Sequence, residues 1–133
     1  MQFLLDTNIC IYLIKRQPIQ VLVQLQRRPM GAVGISTITL AELEYGVAKS
    51  TYPERNRIAL TEFVAPLEVV SFDDAAAGEY GVLRQTLEQK GQLIGSMDLL
   101  IAAQALALGV SLVTNNEKEF QRVPGLKIEN WTR

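Results

Sequence analysis

Apolar positions along the chain alternate between short continuous runs and helical spacing. Gln2 to Leu5 ends in an apolar run suited to a short buried strand. Apolar residues resume at Ile9, and their spacing predicts a helix from about Asn8 to Lys15, which Asp6, Thr7 or Asn8 could cap. Pro18 suits the start of a second helix through about Arg28, with Val21, Leu22 and Leu25 at helical intervals. Ala32 to Ser36 reads as a second strand, and Thr37 or Thr39 then opens a helix carrying TLAELEYGVAK. Pro53 opens another helix that stops near Pro66. LEVVSF reads as a third strand, after which Asp73 and Asp74 cap a long helix that runs to about Lys90 and ends at Gly91. Met97 to Leu108 forms an apolar helix stopped by Gly109. VSLVT is a fourth strand, EKEFQ a helical turn, and LKIENW a short edge strand.

Strands that alternate with helices predict the α/β class. The expectation is a single domain over residues 1–133, a central parallel sheet of four to five strands with helices on both faces, and right-handed crossovers. The most apolar stretch, Leu99 to Val113, is broken by Gln104, Gly109 and Ser111 and falls short of the ~20 apolar residues that span a bilayer. The N-terminus lacks the basic start and apolar core of a secretory signal. These features predict a soluble protein of the cytoplasm.

Composition narrows the chemistry. The 133 residues contain no histidine, which removes Ser-His-Asp and Cys-His schemes, histidine bases and the usual zinc sites. The single cysteine, Cys10, cannot form an intrachain disulfide and sits in an apolar helical pattern, as a small packed hydrophobe does. A formal net charge of −1 does not suggest a broad basic face for nucleic acid. Local pairs, Lys15-Arg16, Arg27-Arg28 and Arg55 with Arg57, read as solvated helix surface, with a phosphate-contacting rim as the other option.

In an open α/β sheet, ligands gather outside the carboxyl ends of the strands. Asp6 ends the first strand, Glu42 lies on the helix after the second, and Asp98 lies in the first turn of the apolar helix before the fourth. Asn115, Asn116 and Glu119 follow the fourth strand. Each has a plain alternative: Asp6 as a cap, Asp98 as a helix-dipole partner behind a Ser96 cap, Glu42 as a solvated residue, the asparagines as a loop tolerant of left-handed backbone. Helical spacing does not choose between Glu42 and Glu44, since both fall between apolar stripes. Convergence of Asp6, Glu42 and Asp98 would raise their pKa values, a conflict that a divalent cation resolves. With oxygen ligands only, the ion is hard, Mg²⁺ or Mn²⁺, and such a site suits phosphodiester hydrolysis. Tyr45, Tyr80 and Trp131 read as packing residues, with base stacking or a dimer face as the other option.

LLDTN, TLAELEYG, IGSMDLLIAAQA and VTNNEKEF stand in an order and spacing that resembles the PIN-domain ribonucleases, in particular the VapC toxins of bacterial toxin–antitoxin pairs. The likeness extends over essentially the whole chain, to the closing ENW. It implies that Asp6 is the first metal-binding acid and Asn8 its supporting amide, that Glu42 rather than Glu44 is the helix acid, and that Asp98 is the third acid. Thr114 matches the small hydroxyl residue that ends the fourth strand. Where many relatives carry an aspartate, this chain has Asn116, and Glu119 one helical turn on is the carboxylate that would stand in for it. The resemblance further implies a Mg²⁺- or Mn²⁺-dependent endoribonuclease that cuts structured RNA, with the initiator tRNA anticodon stem-loop as leading substrate. It also implies a homodimer, silenced by a VapB-like antitoxin whose C-terminal segment covers the acidic pocket.

Two other readings fit the pattern. A phosphate-accepting receiver would use VVSFDD and Thr114, but the first strand lacks a following acidic pair and Lys127 falls at the start of its segment. A PIN-like domain without catalysis, serving only to bind, is the reading that Asn116 keeps open. A haloacid-dehalogenase type phosphatase needs a second aspartate where Asn8 stands.

Overall fold

In the computed structural model, which describes residues 1–133, the first strand shows why the sheet must be covered twice. Phe3 and Leu5 point to one face of β1 (Phe3–Leu5) and Leu4 to the other, and all three are buried. On the first face lie α1 (Thr7–Lys15), α2 (Ile19–Gln26), α3 (Thr37–Ala48) and α4 (Pro53–Val64), contributing Ile9, Cys10, Leu13, Val21, Leu43, Val47 and Leu60. On the second lie α5 (Asp74–Gln89) and α6 (Ser96–Leu108), contributing Leu83, Leu87, Leu99 and Ile101. The remaining elements are β2 (Val33–Ser36), β3 (Glu68–Val70), β4 (Ser111–Val113), the short α7 (Glu117–Phe120) and β5 (Ile128–Glu129).

All five strands are parallel, in the order β3-β2-β1-β4-β5. The connections leave β1 toward β2 and return to it as β4, so the strand order reverses between β1 and β4. That reversal opens a crevice at the carboxyl edge, where the loops part to opposite faces. Leu5 pairs with Val113, which sets the next residues, Asp6 and Thr114, side by side at the edge.

The predicted class, the strand and helix sequence and the burial of Cys10 all hold, with boundaries shifted by a few residues. Three local expectations do not. Ser96 is the first residue of α6 rather than its cap, and Gly95 stands at the cap position without a side-chain bond. The Asn115–Asn116 loop does not use left-handed backbone; the non-glycine residue that does is Arg16, at the end of α1. Arg28 is not simple solvated surface. Its guanidinium carbon lies 4.7 Å from the Phe3 ring and 5.3 Å from the Trp131 ring, and Glu129 pairs with it at 3.6 Å.

Trp131 is 2% exposed, edge-on to Phe3, and its indole N–H donates to Glu129. The C-terminal segment is thereby pinned onto the first face of the sheet. Trp131→Ala is expected to cost about 3–5 kcal/mol, read from the midpoint of urea unfolding, while leaving the acidic edge of the sheet intact.

Candidate active site

The site begins with a cap. Asp6 follows β1 directly, and its Oδ1 accepts from the Ile9 N–H at 2.9 Å, closing the first turn of α1. The same carboxylate receives the Thr114 hydroxyl and the Asn8 backbone N–H. Burial nevertheless pushes its pKa up, and the neighbouring Glu42 adds to the rise. Asp6 is therefore both cap and site residue, since the cap bond holds one oxygen and turns the carboxylate to the crevice.

Glu42 arrives from α3. The Thr7 hydroxyl donates to its Oε1 at 2.5 Å, and the Thr39 hydroxyl lies 3.4 Å from that of Thr7. Glu44, two residues on, points to the other side of the helix and pairs with Arg57 at 2.8 Å. The structure thus separates two acids that helical spacing left equivalent.

Asp98 sits in the first turn of α6, half-buried, hydrogen-bonded to Glu119. Burial and the Glu119 charge push its pKa up to about 7, with smaller contributions from Asp6 and Glu42. A carboxylate beside another carboxylate is disfavoured, so Asp98 holds its proton to higher pH. Glu119 is held in turn by the Gly95 N–H at 2.8 Å and by the Asn116 side-chain amide at 2.5 Å. The Asn116 backbone N–H donates to Thr114 Oγ1 at 3.0 Å, which folds the loop after β4 back toward Asp6.

Asp6, Glu42, Asp98, Thr114, Asn116 and Glu119 thus occupy one neighbourhood at the β1–β4 crevice. As they stand, no three of the acids close around a single point. Asn8 is exposed, and it is its backbone N–H that reaches Asp6. Asn115 turns away and donates to the Tyr12 hydroxyl. Sequence reading overlooked Thr7, Thr39 and the Gly95 amide. A hydroxyl beside Asp6 and another three residues before Glu42 were the available signal; a backbone donor leaves none.

The donor set fits a hard divalent cation. Every side chain it offers binds through oxygen, and crowding keeps a proton on the Asp98–Glu119 pair at pH values where lone carboxyls are ionised.

A sequence model described as the PIN domain matches residues 3–126. The chain is 46% identical over its whole length to a protein of Rickettsia felis named ribonuclease VapC2, covering all of it. It is 42% identical to a protein of Shigella flexneri named tRNA(fMet)-specific endonuclease VapC, over 99% of each chain. Among solved structures, a DNA-bound VapBC from Salmonella typhimurium superposes with a TM-score of 0.94 at 42% identity, over 98% of each chain.

The Asp98 shift has a sign that stability measurements can check. Its folded pKa lies above the unfolded value, so the native state holds an extra proton between about pH 4 and pH 7. That contribution is complete below pH 4 and is lost as pH rises through 7. The metal-free protein is expected to melt several degrees lower at pH 8 than at pH 5.5, and Asp98→Asn to flatten the decline.

Proposed function

This chain belongs to the PIN-domain family, in its VapC ribonuclease branch, and we propose that it is the toxin of a toxin–antitoxin pair. The reaction is divalent-metal-dependent endonucleolytic cleavage of structured RNA. The initiator tRNA anticodon stem-loop is the leading substrate, a choice supported by the name of the Shigella flexneri relative. One observation carries the reading: acids from four separate segments gather at the carboxyl edge of a parallel sheet, close enough for Asp6, Glu42 and Glu119 all to raise the Asp98 pKa, in a chain without histidine.

Asp6, Glu42 and Asp98 are the residues that would hold Mg²⁺ or Mn²⁺, with Glu119 and Asn116 completing the polar rim. Bound there, the ion would offset charge on the scissile phosphate and ease deprotonation of water. The chain itself does the orienting. Thr114 and the α1 cap fix Asp6; Thr7 fixes Glu42; the Gly95 N–H and Asn116 fix Glu119. Loss of the Asp98 proton near neutral pH would ready the site for a cation. Asn116 supplies a donor where an aspartate would have added a fifth negative charge, so the pair it supports keeps a defined geometry.

The antitoxin reading draws on a second feature. A groove of about 280 Å³ runs between α1, α3 and α4, lined by Ile11, Ile14, Leu43, Val47 and Leu60, with Glu42 at its edge. An inhibitor that lays apolar side chains in the groove reaches the acids with its next residue, where a cation would be stabilised. The VapBC complex of Salmonella typhimurium supports a partner of that kind. A homodimer within a larger toxin–antitoxin assembly is part of the same proposal.

Antitoxin-free protein should cut initiator tRNA in the presence of Mg²⁺ or Mn²⁺ and be stabilised thermally by Mn²⁺ alone. Asp6→Asn should lose activity by at least about a thousandfold, while its circular dichroism stays unchanged. Glu42→Gln should be far more damaging than Glu44→Gln. No cleavage of a cellular tRNA pool by well-folded wild type, or equal effects at positions 42 and 44, would overturn the assignment.

A further inference from the structure

We propose that the outer face of α3 is the seat for the RNA strand that enters the site: Tyr45 stacks on a base next to the scissile phosphate, and Lys49 holds a neighbouring phosphate. The proposal rests on the endoribonuclease reading and extends it to how a phosphate chain is held beside a cluster of acids.

Helix geometry makes the connection. Glu42, Tyr45 and Lys49 are spaced i, i+3 and i+7, so they lie on one stripe. At 1.5 Å per residue, Tyr45 stands about 4.5 Å and Lys49 about 10 Å beyond Glu42 along the axis, the reach of one to two nucleotides. Ile38, on the same stripe, packs into the core beneath α5 and α6, so the stripe surfaces at the site itself.

The aromatics named from sequence now separate. Trp131 is buried, and Tyr80 packs against the core and accepts from Arg84. Tyr45 is 66% exposed. Its one close partner is the Lys49 ammonium, 4.8 Å from the ring centroid. Just past the helix end, Arg55 sits 5.8 Å from the exposed Tyr52 ring. The chain's ion pairs engage Arg28, Arg57, Arg84 and Arg133, which leaves Lys49 and Arg55 without a carboxylate. Exposed aromatics alternating with free cations match single-stranded nucleic acid, whose bases offer flat faces and whose phosphates offer charge. A second copy of the chain fits less well. Glu44, the acid that could answer a cation of a second copy, lies on the far side of α3 and is already bound to Arg57.

The test uses antitoxin-free protein with Mg²⁺ and the RNA that the wild type cuts, beginning with an initiator tRNA transcript. Tyr45→Ala should raise KM about tenfold with kcat within about twofold, and Tyr45→Phe should restore most of the loss. Lys49→Ala should make the fall of log(kcat/KM) with log salt shallower by about 1. Sedimentation should give both variants the wild-type oligomeric state. An unchanged KM for Tyr45→Ala would overturn the seat while leaving the nuclease assignment in place. So would dissociation of an oligomer or loss of antitoxin binding, which would make this face a protein contact. Wild type that cuts no RNA beyond an Asp6→Asn control would remove both.

Discussion

Repulsion among carboxylates at one edge of the sheet is the constraint around which the structure is arranged. Asp6, Glu42, Asp98 and Glu119 come from different elements, and Asp6, Glu42 and Glu119 are each held by a donor that fixes the carboxylate's direction. The stabilising bonds reach some oxygens and leave others free. Asp6 gains a cap bond and a hydroxyl, yet burial still holds its pKa above the usual value. Burial and the charge of Glu119 push the Asp98 pKa up to about 7. Such an arrangement is destabilising relative to an apolar edge, and it persists because the surrounding sheet and helices determine it. A parallel sheet with a reversal in strand order provides that rigidity, since β1 and β4 are central and covered on both faces.

Much of this was legible in the residues. Period changes located the strands and helices, because most helices bury one face in one of two cores while β1 buries both of its faces. Asp6 was conspicuous as a charge placed between two apolar runs. Glu42 was harder. Residues of α3 enter both cores, Leu43 and Val47 the first and Ile38 the second, so apolar positions occupy much of its circumference and leave no single polar face to single out. Only its partners identify the site acid: Thr7 for Glu42 and Arg57 for Glu44, each more than ten residues away. The role of Arg28 was hidden for the same reason, since Phe3 and Trp131 lie at opposite ends of the chain. Propensity describes a residue's own segment, and these contacts belong to none.

Asn116 shows how a departure from the family pattern can be absorbed. Replacing an acid by an amide removes a charge and adds a donor. The donor is used at once, on Glu119, which also takes the Gly95 N–H. Through these two bonds α7 is tied to the loop before α6.

An acidic cleft that acts on RNA must solve a problem of approach. Its own field repels a phosphate, and with a net charge of −1 the rest of the chain offers no general attraction. A bound cation would answer part of this, by offsetting charge at the acids. Its influence would fade over phosphates a nucleotide or two away, because screening attenuates it over roughly 8 Å at physiological salt. Local cations beside the cleft must therefore do the rest, and they must not be neutralised by neighbouring acids. Arg57 fails that requirement, since Glu44 holds it. Lys49 meets it, on the stripe of α3 that carries Glu42, with an aromatic ring between the two. Acid, ring and cation along one helix face combine repulsion where the bond is cut with attraction where the strand is held.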